Sequence, residues 1–202
     1  MDKYGTDYIE LVLICDKIKE VEGFEMQNVF ESCYTLDQLC YDTSGLSEDI
    51  LMEHAAAGMA NYIRAHFPLG SSLLIAAGPG NNGADGIALG RQLHGDYEIK
   101  LYIPFELHSA MAKVQFERAS FLGLETVDTL TQADVVVDAL FGAGLNRNLD
   151  ENTQHILHQL NAIQGHKIAC DIPTGVGETG MLMPMAFHAD VTLTMGAYKE
   201  AL

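Results

Sequence analysis

The sequence predicts an α/β fold, a three-layer α/β/α sandwich around a mostly parallel central sheet, and three observations support that class. Short apolar runs alternate with longer segments of helical periodicity through most of the 202 residues. The runs at 73–76, 135–137 and 191–194 are continuously apolar or β-branched, as expected for strands that helices cover on both faces. Polar or glycine-rich residues follow several runs, at the sheet edge where such folds bind ligands.

The periodicity predicts each element in turn. Val29, Cys33, Leu36 and Cys40 recur at helical spacing, and a second helical segment follows Ser47, a preferred N-cap residue. The expected order is then strand 72–77, helix 85–94, strand 98–104, helix 109–122, strand 134–140, helix 151–162, strand 167–172 and strand 190–195.

The length suits one domain with a sizeable core. We assign it to residues 26–202, and residues 1–25 form an N-terminal extension of unknown role. Two small domains are the alternative.

The charge balance excludes two classes of partner. The chain has 11 Lys+Arg against 28 Asp+Glu, a formal net charge of -17, so neither nucleic acid nor an anionic membrane is an expected partner. No apolar run reaches the roughly 20 residues of a membrane span, and the N-terminus lacks the pattern of a secretory signal. The four cysteines include no C-x-x-C pair, which favours free thiols and a cytoplasmic location.

The most informative stretch joins the first predicted strand of the sheet to its helix. Residues 78–86 read GPGNNGADG, and three of the glycines satisfy G-x-G-x-x-G, a Rossmann-like turn that brings phosphate close to the backbone at a helix start. Asn81, Asn82 and Asp85 are unusual there, because dinucleotide-binding turns are mostly small and uncharged. A turn at the two amides, with Asp85 placed for the helix dipole, is the alternative interpretation.

Two further loops carry acids at predicted strand ends. Asp138 precedes a loop with Gly142 and Gly144, and Asp171 precedes a Pro-Thr-Gly turn that contains Thr174. Each feature alone could instead be a helix cap or an ordinary turn residue. Because strand-end loops of an open α/β sheet line one crevice, we expect all three loops to meet.

Four ordered motifs resemble the N-terminal YjeF domain, the NAD(P)HX epimerase family. They are GNNGADG at 80–86, DALFGAGL at 138–145, DIPTG at 171–175 and LTMGAYK at 193–199. The resemblance covers about 29–202 and includes SEDILME at 47–53.

The resemblance implies repair of hydrated NADH and NADPH, by interconversion of the R and S epimers at ring carbon C6. It implies functional coupling to an ADP- or ATP-dependent NAD(P)HX dehydratase specific for the S epimer, which many bacterial relatives carry on the same chain, and it allows a homodimer. It implies a potassium ion held through Asn82, Asp138 and Thr174, whose oxygens are hard ligands. The implied substrate-binding residues are Asn81, Asn82, Gly83, Ala84, Asp85, Gly142, Ala143, Gly144, Leu145, Asn146, Arg147, Asn148 and Asp171.

Three residues depart from the family pattern. Ala84 replaces a glycine, His54 stands where Asn is common, and Gly177 stands where an acid often follows the Pro-Ser/Thr-Gly turn. The Ala84 substitution matters only if the backbone there needs a positive φ.

The expected chemistry centres on Asp171 as the catalytic acid and base. As an acid it would protonate the C6 hydroxyl to give a ring iminium, and water would then return to the opposite face. Lys199 is interpreted as a solvated lysine at a strand exit, although ligand contact is the alternative. The scattered histidines are interpreted as surface residues or as histidines with ordinary hydrogen-bond partners, and not as ligands.

Two rival functions remain open on sequence alone. In an NAD-dependent oxidoreductase, the glycine loop would bind the cofactor and Glu106 would contact its ribose. In a non-catalytic binding domain, the fold would serve as an interaction scaffold.

Overall fold

The computed structural model describes residues 8–12, 29–30, 41–145, 148–177, 180–196 and 198–199. Four helices follow a short helical segment at 41–44: α1 (Glu48–His66), α2 (Asn81–Leu93), α3 (Ala110–Phe121) and α4 (Glu151–Ala162). The strands are β1 (Tyr8–Val12), β2 (Val29–Phe30), β3 (Ser72–Ala77), β4 (Glu98–Tyr102), β5 (Glu125–Val127), β6 (Val135–Ala139), β7 (His166–Cys170), β8 (Val191–Met195) and β9 (Tyr198–Lys199).

Seven strands form one parallel sheet in the order β1-β8-β7-β6-β3-β4-β5. The predicted fold class is therefore confirmed. β3 pairs with β4 on one side and with β6 on the other, so the strand order reverses between β3 and β6. A crevice at the carboxyl ends of strands is expected at such a reversal.

Helices pack on both faces of this sheet because successive strand side chains alternate. Leu73 and Ile75 of β3 pack in the cluster that includes residues of α1, α2 and α3. Leu74 and Ala76 pack in a second cluster with Leu157 and other α4 residues. Asp138, two residues beyond Val136 on β6, thus belongs to the α4 side of the sheet.

Two predicted helices differ from the structure. α2 begins at Asn81 and not at residue 85, because the amides that suggested a turn form its first turn, with Gly80 as N-cap. Val29 and Phe30 form β2, which pairs in parallel with β9, so the predicted helix is wrong at these two residues and pairing overrides their spacing. The rest of that predicted helix, 31–40, lies outside the described residues.

Two strands of the sheet were not predicted. β1 lies within the predicted N-terminal extension and pairs with β8 at one edge of the sheet. β5 forms the other edge against β4 with only three residues, too few for a periodic signal. Among the described residues, no helix is long and apolar enough to cross a membrane.

Candidate active site

One cavity lies at the carboxyl ends of the central strands and brings together the three predicted loops. It has a volume of about 550 Å³. Asn81, Asn82 and Asp85 line it from α2, residues 140–145 line it after β6, and Asp171 lines it after β7. The expectation that these loops meet is confirmed.

The glycines of the first loop serve mainly close packing. A Cβ on Gly78 would lie 1.7 Å from the Leu140 carbonyl oxygen, and one on Gly83 would lie 1.9 Å from the Gly78 carbonyl oxygen. Gly80 has no heavy atom within 4 Å of the same position. Gly78 and Gly83 therefore allow the start of α2 to sit against the β6 loop.

The first turn of α2 presents backbone N–H groups and two amide side chains at the cavity. The Asn81 side chain donates to Glu48 Oε1 of α1 at 2.7 Å. Both polar atoms of the Asn82 side chain are buried and have no hydrogen-bond partner among the described residues. A buried amide left unsatisfied is costly, so the Asn82 side chain is suited to contact a ligand.

Asp138 and Thr174 form a buried polar pair next to the loop that follows β6. The Thr174 hydroxyl donates to Asp138 Oδ1 at 2.8 Å, and the Thr174 backbone N–H donates to Asp138 Oδ2 at 2.7 Å. The Leu140 N–H also donates to Asp138 Oδ1. Burial raises the pKa of Asp138 to about 6, although these three hydrogen bonds favour the ionised form.

This donor set suits a hard cation. The Asp138 and Thr174 oxygens are close enough to share one ion, and Asn82 adds an unpartnered amide oxygen at the neighbouring loop. A cation bound at the Asp138 and Thr174 oxygens would compensate the buried carboxylate. Among the described residues, no cluster of three His, Cys, Asp or Glu side chains indicates a transition-metal site.

Asp171 has the most unusual backbone of the described residues. Its φ is +68°, and it is the only described non-glycine residue with a positive φ. Such a conformation persists when its surroundings hold it, and it is frequent at functional sites. The Asp171 N–H donates to the Leu193 carbonyl at 2.9 Å, which fixes the strand exit toward the cavity.

The prediction for Lys199 was wrong. Its side chain is only 3% exposed and forms an ion pair with Asp171, whose side chain is 14% exposed. Lys199 also lines the cavity. A lysine just past a strand resembles a solvated residue in sequence, but this one lies in β9, which pairs with β2.

The other predicted residues have different positions. Gly83 and Ala84 are buried in α2 and do not line the cavity, and Ala84 packs with Met52 at a site that needs no positive φ. Asn148 is exposed and outside the cavity lining. Asn146 and Arg147 lie outside the described residues.

Two other residues that the sequence analysis discussed also lie away from the cavity. His54 is exposed on α1, and Glu106 is exposed beyond β4. Neither lines the cavity. The His54 departure therefore leaves the cavity wall unchanged, and Glu106 is not placed to contact a ligand within it.

The sequence interpretation missed the contribution of α1. Glu48, Leu51 and Met52 line the cavity. Leu51 and Met52 have the helical spacing of ordinary core residues, and Glu48 lies in a first turn, where carboxylates are common. No local signal separates these roles, because the cavity forms only when α1 packs on α2.

The protein belongs to the YjeF N-terminal family. The model of that family, YjeF-related protein N-terminus, matches residues 48–201. The resemblance inferred from the four motifs is therefore confirmed.

Similar proteins include an epimerase and a bifunctional repair enzyme. The NAD(P)H-hydrate epimerase of Leuconostoc citreum is 37% identical over 190 residues, which cover 90% of this chain and 82% of the relative. The bifunctional NAD(P)H-hydrate repair enzyme Nnr of Thermosynechococcus vestitus is 36% identical over 165 residues, which cover 78% of this chain and 33% of the relative. The chain thus spans about a third of that bifunctional relative.

A solved structure supports the fold. The crystal structure of yeast ynu0 matches with a TM-score of 0.76 and 22% identity, covering 87% of this chain and 83% of that chain.

Proposed function

We propose that the protein is an NAD(P)H-hydrate epimerase, which interconverts the R and S epimers of hydrated NADH and NADPH at C6. The observation that carries this proposal is Asp171, a carboxylate held at positive φ in a cavity at the carboxyl ends of the sheet. Epimerisation at a hemiaminal carbon needs a group that exchanges a proton with the C6 hydroxyl. The names of the similar Leuconostoc and Thermosynechococcus proteins support this choice of reaction.

The substrate would lie across the cavity with its phosphates at the start of α2. The first N–H groups of a helix have no partner within it, and the helix dipole favours an anion there. This supports phosphate contacts at Asn81 and Asn82, with Asp85 and residues 142–145 of the cavity wall completing the substrate site. Arg147, which the motif resemblance implies, is a further proposed contact. The nicotinamide ring would then reach Asp171 on the far side of Gly142, whose missing Cβ would lie 3.0 Å from Asp171 Oδ2.

A potassium ion would be held by Asn82, Asp138 and Thr174. Its charge would offset the buried Asp138 carboxylate and add positive charge near the substrate phosphates. The buried Asn82 amide supports this assignment, because the part of the chain that the structure describes provides no hydrogen-bond partner for it.

The reaction would feed a dehydratase that accepts one epimer. Relatives named as bifunctional repair enzymes support a functional link between the two steps. The sequence assigns the epimerase domain to residues 26–202, and the pairing of β1 with β8 leads us to propose that residues 8–12 also belong to it.

The proposal is tested with purified protein, R-NADHX or R-NADPHX, and a dehydratase specific for the S epimer. We expect the protein to make the R epimer available to the dehydratase well above the spontaneous rate in potassium buffer. If the protein adds nothing to that rate and binds a nucleotide fragment, the binding-domain alternative replaces the epimerase. Hydride transfer from NADH to a second substrate would favour the oxidoreductase instead.

A further inference from the structure

The Lys199 ammonium is held by acceptors on three sides. It donates to Asp171 Oδ1, to the Thr194 hydroxyl at 3.0 Å and to the Met195 carbonyl at 2.5 Å. A protonated lysine has three N–H donors and no acceptor, so acceptors such as these suit its charged form. A buried ion pair is maintained only when such additional hydrogen bonds offset the loss of hydration.

The two oxygens of Asp171 consequently differ. Oδ1 is occupied by Lys199. Oδ2 points toward the β6 loop, where it accepts from the Ala143 N–H at 3.4 Å and lies 3.0 Å from the Cβ position that Gly142 leaves empty. Gly142 therefore keeps space open beside Oδ2, and Oδ2 is the oxygen available to a molecule in the cavity.

We propose that Lys199 is the positioning residue for Asp171, fixing Oδ1 so that an ionised carboxylate presents Oδ2 to the C6 hydroxyl of the substrate. This inference rests on the proposed function and adds a residue to it. Other carboxylates also belong to the surroundings: Glu48 and Asp85 line the same cavity, and Asp138 is buried beside it. Lys199 is the only lysine or arginine among the described residues that line the cavity.

The arrangement sets the order of proton transfer. An ionised carboxylate removes a proton before it can donate one, so Asp171 would first take the proton of the C6 hydroxyl. The oxygen then forms the aldehyde C=O as the C6–N1 bond breaks, and N1 keeps the electron pair, delocalised through the ring C=C into the carboxamide. Rotation about C5–C6 presents the other face, N1 attacks again, and Asp171 returns the proton to oxygen. Lys199 remains protonated throughout.

This order differs from the iminium route expected from the sequence. The iminium route expels the C6 oxygen as water and takes up another water, whereas ring opening keeps the original oxygen. The fate of that oxygen therefore distinguishes a carboxylate that acts first as a base from one that acts first as an acid.

The experiment compares Lys199→Met, Lys199→Arg and Lys167→Met. Methionine keeps much of the length of lysine without its charge, and arginine keeps the charge. Lys167 is a matched control, because its ammonium binds the Ile163 and Gly165 carbonyls near the start of β7, away from the cavity. We expect kcat of Lys199→Met to fall about 10–100-fold, the range found for partners that orient metal ligands. KM should change little, Lys199→Arg should recover part of kcat, and Lys167→Met should match the wild type.

A second measurement follows substrate labelled with ¹⁸O at the C6 hydroxyl, at early times and with spontaneous exchange subtracted. We expect the wild-type product to keep the label. Loss of the label in every epimerisation would overturn the proposed order. The role of Lys199 would be overturned if Lys199→Met kept the wild-type kcat, or if Lys199→Met and Lys199→Arg lost kcat equally. Wild-type protein without epimerase activity would show a failure of the proposed function itself, recognisable before any variant is compared.

Discussion

At the scale of single residues, Asp171 has a conformation that costs free energy. A non-glycine residue in a sparsely populated backbone region costs on the order of 1–3 kcal/mol, and Asp tolerates the left-handed region better than most residues. The ion pair with Lys199 and the backbone hydrogen bond to Leu193 hold Asp171 there. The surrounding fold thus maintains a carboxylate orientation that an ordinary strand exit would not give.

The raised pKa of Asp138 leads to a prediction about potassium and pH. Burial raises the folded-state pKa of Asp138 to about 6. The folded protein therefore loses stability as the pH rises from about 4 through 6, because the buried carboxyl group must then ionise. A cation at the carboxylate should restore stability above that range. We expect the melting temperature at pH 7 to be several degrees higher in potassium chloride than in choline chloride of equal ionic strength. The difference between the two salts should be smaller at pH 4.5.

The matched variants are Asp138→Asn and Asp128→Asn. Asp128 is exposed and lies outside the main cavity, so its variant should keep the potassium effect, whereas Asp138→Asn should lose it. An equal potassium effect in both variants would contradict an ion site at Asp138.

Two neighbouring glycines provide a second prediction. Gly83→Ala places a Cβ 1.9 Å from the Gly78 carbonyl oxygen, a contact that requires backbone movement, whereas Gly80→Ala meets no atom within 4 Å. We expect Gly83→Ala to be destabilised by more than about 2 kcal/mol and Gly80→Ala by less than about 1 kcal/mol in urea unfolding. Similar unfolding midpoints for the two variants would contradict the packing role of Gly83.

Sequence reasoning at this scale identified polar residues that follow strands but not residues that tertiary pairing brings in. Asp138, Asp171 and Thr174 follow apolar runs, and such positions converge in any parallel α/β sheet. Lys199 forms an ion pair with the distant Asp171 and lies in β9, which pairs with β2, so both contacts join residues far apart in the chain. No local pattern contains that information.

At the scale of elements, α1, α2 and α3 are joined by a network of charged and amide side chains. Arg118 of α3 forms two hydrogen bonds with Asp49 of α1, at 2.6 and 2.8 Å. Glu53 of α1 pairs with Arg91 of α2 and accepts from the buried Gln115 of α3 at 3.2 Å. This network holds together the helices on one face of the sheet, including the two that line the cavity.

The network should weaken in acid. The hydrogen bond from Arg118 lowers the pKa of Asp49. Burial raises the pKa of Glu53, but hydrogen bonds from Gln115, Arg91 and Gln92 outweigh it, and the net pKa is lowered. Carboxylates with lowered folded-state pKa values stabilise the fold above about pH 4.5 and lose that contribution as the pH falls through those values.

We therefore expect Arg118→Met to cost about 0.5–1 kcal/mol in urea unfolding at pH 7 and almost nothing near pH 3, because the pair is partly exposed. Arg64→Met is the control, since Arg64 forms a longer and more exposed contact with Asp96. Its variant should show a smaller change with pH. A cost for Arg118→Met that is the same at both pH values would contradict the network.

Element prediction succeeded where periodicity was strong. The predicted strand 72–77 and helix 151–162 have the observed bounds. The start of α2 was placed four residues late, because Asn81 and Asn82 are common in turns and only the Gly80 N-cap and the packing of Gly83 make them helical. Short edge strands such as β5 depend on their neighbours and give little signal of their own.

At the scale of the whole molecule, the position of the cavity follows from topology. The strand order reverses between β3 and β6, and the loops after both strands line the cavity with the β7 loop. The sequence predicted that the strand-end loops would meet, but it did not predict the strand order. β1, within the predicted extension, adds an edge to the sheet next to β8, so those five residues contribute to the fold that holds the site.

The most direct test of the central claim measures the epimer ratio itself, starting from pure S-NADPHX without dehydratase, in potassium buffer. We expect the wild-type protein to produce the R epimer until equilibrium, faster than the spontaneous reaction. Asp171→Asn should reduce the enzyme-dependent rate about 10²–10⁴-fold, the usual contribution of a proton-transferring group, while affinity for a nucleotide fragment stays nearly unchanged. Asp128→Asn, outside the main cavity, should behave as the wild type. Near-normal epimerisation by Asp171→Asn would contradict the catalytic assignment, and no enzyme-dependent epimerisation by the wild type would contradict the function.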